Sequence, residues 1–127
     1  MEWNNLNEKI ILIAEDDMFN RQLIVSFLAK YKNIKIIKAE NGIETLDNLS
    51  KFHVDLCLLD LYMPKMNGFD TLRHIRKNNN HMPIIAISSD ELEKQKSLDL
   101  GANEFIAKPF KLKNLESIIY NILKNVH

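Results

Sequence analysis

The stretch Leu56-Cys57-Leu58-Leu59-Asp60-Leu61-Tyr62-Met63-Pro64-Lys65-Met66-Asn67-Gly68 reads as a buried strand running into a turn. Its apolar run has no polar relief before Asp60, which marks a strand covered on both faces, and Met63-Pro64 and Asn67-Gly68 supply the turn chemistry that ends it. Asp60 therefore stands where a buried strand meets solvent. A carboxylate there costs free energy unless nearby groups compensate its charge. What the ends of the other strands carry becomes the main question.

Residues 10–14 are a wholly apolar strand that runs straight into Glu15-Asp16-Asp17, and residues 84–88, entered through Met82-Pro83, are another. Residues 34–39 alternate apolar residues with lysine, the pattern of a strand with one wet side. A short last strand at 104–107 ends in Lys108-Pro109. Between the strands, helical spacing predicts a first helix burying Leu23, Ile24, Phe27, Leu28 and Tyr31, with Arg21, Gln22 and Lys30 left to solvent and Asp17 as its cap. Ile43, Leu46 and Leu49 predict a second helix, Phe69, Leu72 and Ile75 a third, and a strong stripe from Leu112 to Val126 a last one. The fourth, at 91–100, has only Leu92, Leu98 and Leu100 to bury and should be locally weak. Such alternation predicts an α/β fold, a doubly wound five-stranded parallel sheet. The three apolar strands belong in the middle, so right-handed crossovers favour the order 2-1-3-4-5 with a switch point between strands one and three.

A length of 127 residues with 46% hydrophobic content fits one domain, expected over 9–127, with 1–8 a flexible lead-in in which Trp3 carries no site. Zero formal net charge gives no electrostatic case for direct nucleic-acid binding. No segment is apolar enough for membrane insertion or a signal core, and the single cysteine, Cys57, lies inside a buried run, so a reducing, cytoplasmic setting is expected. His53, His74, His81 and His127 share no metal-ligand spacing and read as surface or loop residues.

Glu15, Asp16 and Asp60 converge on the switch-point crevice. Three carboxylates there repel one another, and a divalent cation resolves the repulsion. Hard oxygen donors with room for water suit Mg²⁺, which takes one or two protein carboxylates and fills its octahedron with water or phosphate oxygens. Asp16 and Asp60 are the expected direct ligands, Glu15 acts through water, and the Tyr62 backbone carbonyl completes the set. Ser88 and Lys108 end strands on the same rim. A metal, a lysine and a hydroxyl around one carboxylate are what an acyl-phosphate needs, with Asp60 as nucleophile.

With Glu15-Asp16 after the first strand, Asp60 followed by Met63-Pro64 and Gly68, Ser88 ending the fourth strand and Lys108-Pro109 ending the fifth, the chain resembles a two-component response regulator receiver domain from about 9 to 126. The resemblance implies the flavodoxin-like receiver fold. It also implies that Asp60 accepts a phosphoryl group from a histidine kinase or histidine phosphotransfer protein, with Mg²⁺ required. Lys108 would pair with the Asp60 or phosphoryl oxygens, Ser88 would move to bond the phosphoryl group, and Phe105 would change rotamer in response. A cis Lys108-Pro109 bond is implied, as is a downstream protein target read through the fourth helix, fifth strand and fifth helix. Phe105 replaces the frequent tyrosine, so no phenol can lock the switched rotamer. Tyr62 and Asp90 occupy variable positions expected to set how fast water reaches the acyl-phosphate.

Two other classes fit less well. A phosphohydrolase with an aspartate nucleophile needs a general acid two residues on, where this chain has Tyr62, and a cap domain for which there is no length. A flavodoxin-like cofactor binder needs a phosphate loop after the first strand, where Glu15-Asp16-Asp17 would repel phosphate. The chain is thus expected to be no enzyme beyond its own phosphorylation and autodephosphorylation. With no output domain after Val126, it reads as a stand-alone regulator or a receiver from a larger protein.

Overall fold

Burial on both faces sets the centre of the sheet. β1 (Lys9–Ala14), β3 (Leu56–Asp60) and β4 (Ile84–Ser88) are covered almost throughout, while β2 (Ile34–Ala39) and β5 (Glu104–Ala107) each expose part of their length. The computed structural model, which describes residues 1–126, pairs them all in parallel in the order β2-β1-β3-β4-β5. His127, read above as a surface histidine, lies outside the described residues.

Side chains alternate across the pleat, so neighbouring residues of one strand feed opposite cores. Leu12, Leu59 and Ala86 face α2 (Gly42–Lys51), α3 (Gly68–Lys77) and α4 (Lys94–Asp99), whereas Ile13, Leu58 and Ile85 face α1 (Met18–Leu28) and α5 (Leu112–Leu123). Each fully covered leucine or isoleucine contributes about 1.5–3 kcal/mol. Asp17, Asn41 and Asn67 cap α1, α2 and α3 by accepting from the N–H groups of Asn20, Glu44 and Asp70. The Cys57 thiol lies inside β3, and burial pushes its pKa up to about 12, which leaves it a small core residue.

The structure corrects four local expectations. On α1, Leu23 is 47% exposed while Arg21 turns inward, because its guanidinium donates to the Glu15 carbonyl at 2.8 Å and to Glu40 at 3.3 Å. On α2, Ile43 faces solvent and Thr45 takes the inner position. Gly42 is the reason: a Cβ there would lie 2.2 Å from Thr71 Oγ1 and 2.4 Å from the Met66 carbonyl, so α2 presses its first turn against α3. Thr45 and Thr71 are buried there with their hydroxyls paired, each donating at 2.8 Å to the carbonyl four residues back. The weak fourth helix divides into a 3₁₀ turn, Glu91–Glu93, and a six-residue α4 with Ser97 as its only buried side chain.

The fourth correction concerns Trp3, expected in a loose lead-in. It is 6% exposed, stacks on Tyr31 with ring centroids 3.9 Å apart and tilts against Tyr120 at 5.3 Å. The Asn33 amide holds the segment by donating to the Leu6 carbonyl at 2.9 Å, and Lys9 Nζ donates to the Val126 carbonyl at 2.7 Å. The first residues thus tie the end of α1 to α5 and close one core. Trp3→Ala should remove about 3 kcal/mol of stability, read as a lower urea midpoint with an unchanged slope.

Candidate functional site

Register delivers the site. Ala14 pairs with Leu59 and Asp60 with Ile87, so Glu15 and Asp60 reach the same height and Ser88 follows one step on. Ser88 pairs with Ala107, and the Lys108 N–H donates to the Ser88 carbonyl at 2.8 Å, which fixes Lys108 on the rim. The Lys108-Pro109 bond beyond it is cis. Glu15, Asp16 and Asp60 each bring a carboxylate oxygen within 4.8 Å of the others, with Glu15 and Asp60 buried and Asp16 exposed. Among the described residues this is the one cluster of that kind.

Lys108 Nζ sits between the two buried acids, 2.9 Å from Glu15 Oε1 and 2.7 Å from Asp60 Oδ2. Asp60 Oδ1 accepts from the Tyr62 N–H at 2.8 Å, and Glu15 Oε2 accepts from the Asp17 N–H at 3.2 Å. Burial works against the Lys108 charge, but its bonds to Asp60 and Glu15 outweigh that and hold its pKa above the ordinary lysine value. Glu15 is pushed up to about 7, chiefly by burial and then by its contact with Asp60, with Lys108 only partly opposing. One ammonium is therefore too little cation for this crevice, and hard oxygen donors with charge still to balance fit a divalent metal.

The turn after β3 is shaped to hold Asp60. Lys65 (φ 48°) and Met66 (φ 74°) lie in the left-handed region, and the Gly68 N–H donates to the Leu61 carbonyl at 3.1 Å. A Cβ on Gly68 would stand 2.5 Å from the Asp60 carbonyl oxygen, so the turn can pass this close only as glycine.

Ser88 is on the rim and fully buried, yet its hydroxyl donates to Glu93 Oε1 at 2.6 Å and accepts from the Asp90 N–H at 3.0 Å. Phe105 is half-buried and packs on the core beneath α3 and α4. Tyr62 is 54% exposed, and the Glu93 carboxylate beside its phenol raises the phenol pKa. Asp90 caps the 3₁₀ turn by accepting from the Leu92 N–H at 2.9 Å. A groove of ≈ 390 Å³ opens beside Glu15 and Lys108, walled by Leu23, Ile24, Pro109 and Phe110.

A family model described as the response regulator receiver domain matches residues 11–120. This chain belongs to that family. The receiver domain of Francisella response regulator 1452 superposes with a TM-score of 0.86 at 26% identity, covering 91% of this chain and 97% of that one. The receiver domain of Ssk1 from Saccharomyces cerevisiae, solved together with the histidine phosphotransfer signaling protein Ypd1, gives 0.87 at 26% identity, covering 94% and 91%. The protein-glutamate methylesterase/protein-glutamine glutaminase of Bacillus subtilis is 41% identical over 105 residues, 78% of this chain and 29% of its own length. This receiver domain spans between 19% and 50% of the curated relatives it matches. It is thus a receiver domain of two-component systems, with the fold expected from the strand pattern. No helix among the described residues is long and apolar enough to cross a membrane.

Of the residues expected from the sequence, Glu15, Asp16, Asp60 and Lys108 are brought together, Ser88 stands on the rim with its hydroxyl bonded to Glu93, and Phe105 packs on the core. Glu93 and Arg21 are the residues that the sequence reading missed. Glu93 sits among charged neighbours on a short 3₁₀ turn and Arg21 between Asn20 and Gln22 on α1, where each reads as solvated, and only tertiary contact reveals them.

The raised Glu15 pKa makes a linkage prediction. Glu15 binds its proton more tightly folded than unfolded, so its contribution to stability is complete below the unfolded value near 4.5 and is lost as pH rises through about 7. In chelator-treated protein, urea midpoints should fall across that window, and Glu15→Gln should flatten the fall.

Proposed function

We propose that this receiver domain accepts a phosphoryl group on Asp60 from the phosphohistidine of a histidine kinase or phosphotransfer protein. The observation that carries the reading is Lys108 Nζ bound to both Asp60 and Glu15, with Asp16 completing the acidic cluster. Phosphoryl transfer asks little of a protein beyond position and charge neutralisation. An Asp60 oxygen attacks phosphorus as the P–N bond of the donor breaks, and the departing imidazole nitrogen keeps the electron pair.

Lys108 follows the developing charge on the transferred oxygens. The Tyr62 N–H keeps the Asp60 carboxylate oriented while it reacts. Asp16 and Asp60 would hold Mg²⁺ directly, with Glu15 through water and the Tyr62 carbonyl as a further ligand. Bound there, the ion neutralises phosphoryl oxygens and lets three acids share one crevice. The apolar groove beside Lys108 suits a partner's helix, which supports a protein donor.

Once Asp60 is phosphorylated, Ser88 moves toward the phosphoryl oxygens, Phe105 changes rotamer, and α4, β5 and α5 form the face read by a downstream protein target. The domain does no chemistry on other substrates. It loses its phosphoryl group to water at a rate set by Tyr62 and Asp90 over the approach to Asp60. Its setting is the cytoplasm, where phosphohistidine donors meet it.

With acetyl phosphate and Mg²⁺, intact-mass spectra should show one added phosphoryl group on the wild type and none on Asp60→Asn. Equal labelling of both would sink the reading. Asp16→Asn should weaken Mg²⁺ binding at least about tenfold, roughly 1.4 kcal/mol, in a calorimetric titration.

A further inference from the structure

We infer that Glu93 is a positioning residue that latches Ser88 in the resting domain and ties the start of α4 to the same bond. The inference rests on the phosphoacceptor reading and adds to it the group that opposes the switch.

A serine hydroxyl has one proton to give. In this chain it is given to Glu93 Oε1 at 2.6 Å, the short range typical of bonds to a carboxylate, which are the stronger kind. Phosphoryl oxygens only accept, so they need that same proton. Ser88 cannot serve both. Its reach toward Asp60 requires breaking the bond to Glu93, and the resting equilibrium carries that cost.

The bond is not needed to cap the turn. Asp90 already accepts from the Leu92 N–H at 2.9 Å, and the Glu93 N–H donates to the Asp90 carbonyl at 3.1 Å. In a capping box the acid lies three residues after the cap and reaches a backbone N–H. Glu93 has that spacing from Asp90, yet its carboxylate takes the Ser88 hydroxyl proton, and the Asp90 N–H donates to Ser88 Oγ instead.

The other end of the latch is a lightly held helix. In α4 only Ser97 is buried, and its hydroxyl turns back to the Lys94 carbonyl of its own helix, while Leu92 in the preceding turn is 90% exposed. Letting go of Ser88 therefore removes a main attachment of this segment to β4. Glu93 is not stranded when that happens, because the Tyr62 phenol faces the same carboxylate. Occupancy at Asp60 thus reaches α4 through one hydroxyl changing partner.

Beryllofluoride with Mg²⁺, titrated by fluorine NMR, tests the latch. Glu93→Ala should tighten beryllofluoride binding on the order of tenfold. Glu93→Gln, which keeps an acceptor without the charge, should fall between. In a Ser88→Ala background the Glu93→Ala effect should shrink to about twofold or less. An unchanged or weaker affinity for Glu93→Ala, or an equal effect in both backgrounds, overturns the inference.

Hydrogen exchange in the metal-free domain gives a measure independent of phosphoryl chemistry. Amides 91–96 should exchange faster in Glu93→Ala and in Ser88→Ala, with no further gain in the double variant, and unchanged rates would overturn the latch. A wild type that takes up neither beryllofluoride nor a phosphoryl mass overturns the phosphoacceptor reading and the opposing role of Glu93 with it. The exchange rates then still show whether the Ser88–Glu93 anchor exists.

Discussion

One ammonium shared by two buried carboxylates is the interaction on which the acidic rim depends. Without Lys108, Glu15 and Asp60 would face each other with about 5% of each side chain exposed and no cation between them. Two such acids cannot both stay ionised in a poorly solvated site. With it, only part of the acidic charge is offset, and burial together with Asp60 still pushes the Glu15 pKa up. A site left in that condition favours any arriving positive charge and keeps Asp60 oriented in the meantime.

Long-range geometry is what places Lys108 there. It lies 48 residues from Asp60 and 93 from Glu15, and parallel pairing brings all three to one level. The turn after β3 contributes from the other side, with Gly68 packed on the Asp60 carbonyl and two left-handed residues before it. Strand register and this tight turn together fix the acid to within what its two hydrogen bonds permit.

How much of this the sequence disclosed follows from which interactions are periodic. The central strands were plain because burial on both faces leaves unbroken apolar runs, and the rim acids were plain because each ends such a run. Trp3 escaped because its partners, Tyr31 and Tyr120, are far away in the chain and no repeat announces an aromatic stack. Ile43 was misplaced because Gly42 needs the inner position and rotates the first turn of α2. Arg21, between Asn20 and Gln22 on α1, and Glu93, in an acidic 3₁₀ turn, carry nothing in the sequence that sets them apart from solvated charges; each instead serves a strand end, one at the Glu15 carbonyl and one at Ser88.

The indole at the start of the chain has a spectroscopic meaning of its own. Trp3 is the only tryptophan, and it lies against Tyr31, just before β2, at the end of the sheet away from the acids. Its emission reports whether the first residues are seated on α1 and α5, and it is remote from events at Asp60. Intrinsic fluorescence is thus a gauge of the integrity of this clasp, and following the acidic rim by light requires a fluorophore introduced near it.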